Sequence, residues 1–183
     1  MNAESFELVR LVVAGALLLS IAVSDLRTYL IPDKFTVTGL MSALAFAVIS
    51  VLFVRGTTHF AGPYDAVIGA CVGAGAIRIV GWLGEIVLRK EAMGFGDETL
   101  MAFGGAMLGP PRALFAIVVA AALGSVVFLL VVAPVRWVHA RRRGEAFSFP
   151  DVPFGVFLAP AVFGTLVWGE PVVSWYLEQI LGR

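Results

Sequence analysis

Apolar residues fill this chain in long blocks, broken by short joints that carry charges, glycine or proline. A spanning helix needs roughly 20 apolar residues, and six blocks reach or approach that length: Leu8 to Ser24, Thr36 to Val54, Ala66 to Leu88, about Asp97 to Gly109, Ala113 to Val135, and Val152 to Gly169. The fourth is the weakest. Its uncharged part, Thr99 to Gly109, is too short to span unless the GFGD stretch before it also enters the membrane. The tail VVSWYLEQILGR either extends the sixth helix or lies along the interface, with Trp175 and Tyr176 at headgroup level. The pattern predicts one all-α, polytopic membrane helix bundle of about six transmembrane helices over residues 1–183.

Composition agrees, since 60% of residues are hydrophobic and 14% charged, far from a soluble domain. Zero formal net charge gives no footing for a nucleic-acid partner, and the lipid bilayer is the expected surrounding. The lone cysteine, Cys71, lies inside an apolar block, which excludes an intramolecular disulfide and a CxxC-type zinc site. It reads as a small lipid- or helix-facing filler. His59 and His139 fall in loops on opposite sides, so no metal or other cofactor is expected. Gly69 and Gly73, with Ala66, Ala70 and Ala74, give the third block a small-residue face for close helix packing. Ala22-Val23-Ser24 has the small-x-small form of a cleavage site, but Glu4, Glu7 and Arg10 are not the basic start of a signal peptide. The first span is expected to be retained.

Basic residues set the orientation. Eight lie in loops on one side (Arg27, Lys34, Arg89, Lys90, Arg136, Arg141, Arg142 and Arg143) and four on the other (Arg10, Arg55, Arg112 and Arg183), with Arg78 inside the third span. The positive-inside rule then puts the N-terminus outside and the joints after spans one, three and five in the cytosol. The Arg141–Arg143 cluster reads as a topology anchor attracted to anionic lipid.

Asp25 stands at the cytosolic end of the first span, in SDLRTYLIPDKFT, and a charge near the hydrocarbon boundary is costly. A second acid in an equally unusual setting is Asp97, in MGFGDETLMAFGG, at the start of the fourth span and on the same membrane face although 72 positions away. Gly94 and Gly96 bracket one residue there and permit a tight turn or a close backbone approach. Each acid also has a plain structural role available. Asp97 suits an N-cap with Glu98 favourable to the helix dipole, Asp25 a solvated helix end, and Asp33 an N-cap after Pro32. Those roles do not account for two carboxylates converging on one face. Such a pair hydrolyses a peptide bond when the ionised member draws a proton from water and the protonated member polarises the carbonyl. Proximity in a low dielectric keeps both from ionising, so the pair titrates as one unit.

Arg78 and Glu85 lie seven apart in the third span and share a helical face. They are expected to pair in a structural role facing the bundle interior, with substrate contact or, for Glu85, an interfacial place near Arg89 as the alternatives. Asp151, before VPFG, reads as a helix-start cap, or else lines the cytosolic mouth.

At these residues the chain resembles the type IV prepilin peptidases, GxGD aspartic peptidases of the bacterial inner membrane. The matching elements are Asp25 with LRTYLIPD behind it, MGFGD followed by LMAFGGAMLG, and VPFGVFLAP at Val152 to Pro160. GxGD alone is weak; three elements in this order are specific. The resemblance implies that Asp25 and Asp97 are the catalytic pair, with Gly94 and Gly96 forming the turn that presents Asp97. It implies prepilin or pseudopilin substrates, whose short basic leader is removed on the cytosolic side of the inner membrane. Longer members carry a cytosolic insertion with paired CxxC motifs and methylate the new N-terminus. The short joint from Asp25 to Thr36 and the lone cysteine leave no such insertion here, so methyl transfer is not expected. Members often have lysine where this chain has Thr99. The competing readings are a GxGD intramembrane protease of the presenilin or signal-peptide-peptidase kind, for which the preceding YD and later PAL are missing, and a proton- or ion-coupled transporter.

Overall fold

The structure is a computed structural model, and it describes residues 3–54, 60–89, 93–143 and 153–181. It is an all-α membrane bundle. The helices are α1 (Ala3–Thr28), α2 (Asp33–Phe53), α3 (Pro63–Leu88), α4 (Phe95–Leu108), α5 (Pro110–Val127), α6 (Ala133–Arg143) and α7 (Gly155–Leu181), with a π-helical turn at Phe128–Val132 joining α5 to α6. Among the described residues four stretches are long and apolar enough to cross a membrane unaided: Ala3–Thr28, Asp33–Phe53, Pro63–Val87 and Pro110–Trp137. His59, Asp151 and the side chains of Arg142, Arg143 and Tyr176 lie outside the described residues.

Helix ends follow local chemistry. Tyr29 takes a left-handed conformation (φ 55°) after α1 and returns its N–H to the Asp25 carbonyl at 2.9 Å. Pro32, fixed in φ, then starts α2. Arg89 closes α3 in the same way, with φ 54° and a bond to the Glu85 carbonyl at 2.8 Å. Pro63 and Pro110 occupy the first turns of α3 and α5, where a missing N–H costs nothing.

The outer helices present small or apolar residues inward at helical spacing. On α1 the buried stripe is Phe6, Arg10, Ala14, Leu18, Ile21 and Asp25. Leu8, Val12, Leu19, Val23 and Leu26 are exposed on the same helix, an apolar surface suited to lipid. Cys71 on α3 is likewise exposed.

The fourth block is explained by its place in the bundle. With 14 residues, α4 is about 21 Å long and too short to cross a hydrocarbon core of about 30 Å. It packs against α2, α3, α5 and α7, and Leu100, Met101 and every residue from Phe103 to Leu108 are buried. Protein rather than lipid surrounds it. The closest approach is to α3: a Cβ on Gly69 would strike the Gly105 carbonyl oxygen, one on Gly105 would strike that of Gly69, and one on Gly73 would meet the Met101 carbonyl. The small-residue face expected on the third span therefore exists, and α4 is what it packs against.

Two expectations need correction. Residues after Val135, His139 included, do not form a loop, because the helix runs on to Arg143. Pro134 lacks an N–H, and the π turn just before it, where Ala133 bonds to the Phe128 carbonyl, accommodates the break in register so that the helix continues. Arg10, counted among the external loop charges, is wholly buried. Its guanidinium lies 4.3 Å from the Phe60 ring centre, 5.7 Å from Phe6 and 5.9 Å from Phe46, and Glu7 one turn away supplies a countercharge. This cage ties the end of α1 remote from Asp25 to α2 and to the segment entering α3. The tail resolves as helix, since α7 continues to Leu181.

The α3–α4 contact makes a paired prediction. Gly69→Ala forces the two backbones apart and is expected to destabilise the protein in detergent by about 1–3 kcal/mol. Gly75→Ala, on the same helix with nothing within 4 Å of the added carbon, should be neutral or slightly stabilising. Thermal unfolding of both variants checks this, and equal effects would contradict the contact.

Candidate functional site

Asp25 closes the buried stripe of α1 in that helix's last turns and is 4% exposed. Its Oδ2 accepts a hydrogen bond from the Val156 N–H at 3.1 Å, and the Gly155 amide lies beside it. Both amides belong to the first turn of α7, whose positive dipole end therefore faces the carboxyl. The first turn of a helix has free N–H groups, and here Asp25, 131 positions away, takes one of them.

Asp97 sits in the first turn of α4 and is 8% exposed. It is not the N-cap: Gly94 holds that position, in an extended conformation and with no side-chain cap, and the Asp97 N–H bonds to the Gly94 carbonyl at 3.1 Å. Its side chain stands at the third helical position, where the Gly94 amide bears on its carboxyl as in the reciprocal half of a capping box. The Asp25 carboxyl is near enough to act on it electrostatically. Asp33, too, begins α2 one residue after the cap position, which Pro32 occupies, and it is exposed.

Ile31, in the turn between α1 and α2, packs close to both Gly96, which precedes Asp97, and Gly155, which faces Asp25. A Cβ on Gly96 would lie 2.7 Å from the Ile31 Cβ, and a Cβ on Gly155 would lie 2.8 Å from the Ile31 Cδ1 and 2.8 Å from the Asp25 Oδ2. Any larger residue at Gly155 would push directly on the carboxyl. Asp25, Gly96 and Asp97 are joined here by Ile31, from LRTYLIPD, and by Gly155 and Val156, from VPFGVFLAP, residues of the matching elements to which the sequence assigned no individual role. The glycine in VPFG was the available signal for Gly155.

Arg78 does pair, but not inside the bundle. Its side chain is 71% exposed and its Nη1 lies 2.9 Å from Oε1 of Glu98, which is 17% exposed. Glu85, near the end of α3 and one turn before Arg89, acts on Arg78 electrostatically. The Thr99 hydroxyl bonds back to the Gly96 carbonyl at 3.0 Å, so it braces the first turn of α4.

Two buried carboxyls from helices far apart in sequence, meeting at one end of a membrane bundle, define a membrane site with the components of an acid–base pair. Residues 12–129 match the model of the type IV leader peptidase family, and the chain belongs to that family. It is similar to the prepilin leader peptidase/N-methyltransferase of Aeromonas hydrophila, 32% identical over 168 residues, covering 90% of this chain and 51% of the relative. It is also similar to the proteins of the same name from Stutzerimonas stutzeri, 33% identical over 165 residues (88% and 50%), and Myxococcus xanthus, 34% over 127 residues (69% and 36%). The chain spans about half the length of the first two of these relatives. No solved structure matches it.

The Asp25 hydrogen bond gives a stability test that is independent of activity. Asp25→Asn keeps an acceptor for the Val156 amide and replaces one acid of a buried pair by a neutral amide, so its melting temperature should equal or exceed the wild-type value. Asp25→Leu leaves that amide without its acceptor and should cost about 1–3 kcal/mol. Thermal unfolding in detergent separates them, and a more stable leucine variant would contradict the bond.

Proposed function

We propose that this chain is a membrane aspartic endopeptidase that removes the short basic leader of prepilin-like precursors, pilins or pseudopilins, at the cytosolic face of the inner membrane. The observation that carries the reading is the meeting of Asp25 and Asp97 at one end of the bundle, in a chain of this family. One carboxyl, ionised, takes a proton from water. The other, protonated, donates to the scissile carbonyl oxygen, and the resulting tetrahedral intermediate collapses as a proton passes to the leaving amine.

The surrounding residues serve that cycle by position. The Val156 amide holds Oδ2 of Asp25 and so fixes the orientation in which the carboxyl exchanges a proton with water. The Gly94–Gly96 turn and Ile31 set the depth of Asp97. The same end of the bundle carries the C-terminal ends of α1, α3 and α6, and the excess of basic residues toward that end favours the cytosol for it. The proposal covers hydrolysis alone, because this chain has one cysteine and so no paired CxxC motif of the kind associated with methylation.

Inside-out membrane vesicles, which expose the cytosolic face, provide the assay. The wild-type chain is expected to shorten an added prepilin by its leader, whereas Asp25→Asn and Asp97→Asn accumulate normally and cleave none. Gly155→Ala keeps every titratable group yet displaces Asp25, and its rate should fall on the order of 100-fold. Mass spectrometry of the product reads all three. Normal processing by either asparagine variant would refute the catalytic pair, and cleavage confined to right-side-out vesicles would refute the sidedness.

A further inference from the structure

We propose that Glu98 reads positive charge on the substrate segment entering the aspartate end of the bundle, and that Arg78 occupies Glu98 until the substrate arrives. The inference rests on the peptidase reading above and adds to it a residue that sets specificity. Glu98 directly follows Asp97 in the first turn of α4 and is near enough to act on it electrostatically. A carboxylate on a helix of a membrane bundle needs a cation, and its partner here comes from another helix, Arg78 of α3, at 2.9 Å.

The two partners are held very differently. Glu98 is 17% exposed and fixed by its place on the enclosed helix, while Arg78 is 71% exposed. Arg78 stands among outward-facing Ile79, Val80, Trp82 and Leu83, so its side chain reaches over its own helix to α4 and buries little there. Releasing it would lose little packing, and a long arginine side chain can turn to the headgroup layer instead. Exchanging Arg78 for a lysine or arginine of the substrate keeps Glu98 paired throughout and avoids the cost of a bare carboxylate. The exchange brings a basic leader to the residue beside Asp97. A sequence without basic residues cannot displace Arg78 and gains nothing from Glu98.

A brace and a displaceable partner predict opposite signs, which makes the idea testable. Steady-state cleavage is measured for two prepilins, one with its natural leader and one with the leader's basic residues replaced by glutamine. Glu98→Gln is expected to raise KM for the natural leader on the order of tenfold and to erase the difference between the two substrates. Arg78→Gln removes the competitor and should lower KM for the natural leader by about two- to fivefold, with kcat held. If the ion pair were only a brace, both variants would be impaired alike on both substrates and would melt lower, and that result would overturn the proposal. Unchanged KM values in both would overturn it as well. Failure of the wild-type chain to cleave either prepilin would instead sink the peptidase reading itself.

Discussion

The enclosure of α4 is the constraint on which the rest of the structure depends. A helix of 14 residues cannot present two ends to water across a bilayer, so it persists only if other helices wrap it. Wrapping requires close approach. Gly69 against Gly105, and Gly73 against the Met101 carbonyl, let α3 and α4 touch backbone to backbone, a contact that van der Waals packing rewards in a lipid surrounding. Fully buried alanines on neighbouring helices, including Ala43, Ala47, Ala113 and Ala116, continue the same economy of side-chain volume. The consequence for the site is positional: the first turn of α4, with Asp97, is fixed in depth relative to the last turns of α1, with Asp25.

The two ends of α1 are held by contrasting means. At one end Arg10 is sealed among Phe6, Phe46 and Phe60, with Glu7 nearby as countercharge. At the other, Asp25 is held by the first amides of α7, and Gly155 leaves its carboxyl room beside Ile31. The first arrangement fixes a helix. The second fixes a helix and orients a carboxyl, which is what proton transfer asks of such a group.

Long apolar blocks made the helices legible, because a spanning segment has few alternatives in hydrocarbon. The convergence of Asp25 and Asp97 was legible too, since helix direction and the basic-residue count together put both at one end. Local pattern failed where a tertiary or backbone effect decided the outcome. Arg10 looked like a loop charge because nothing near it in sequence announces Phe46 and Phe60. His139 looked like a loop residue because the apolar block ends at Val135, yet the helix runs on past the π turn at Phe128–Val132 to Arg143. Asp97 looked like a cap, yet the two glycines before it let the helix start earlier, at Phe95. Ile31 and Gly155 matter through contacts between segments more than 60 positions apart, which no periodicity encodes.

The central claim is that Asp25 and Asp97 work as a pair in which one carboxyl must be ionised and the other protonated. The pH dependence of kcat/KM for cleavage of a prepilin by the purified chain in lipid nanodiscs tests that most directly. The account predicts a bell-shaped profile: activity falls on the acid side as the ionised member takes a proton and on the alkaline side as the protonated member loses its own. A rate that rises through one ionisation to a plateau, with no alkaline limb in a protein that remains folded, would contradict it.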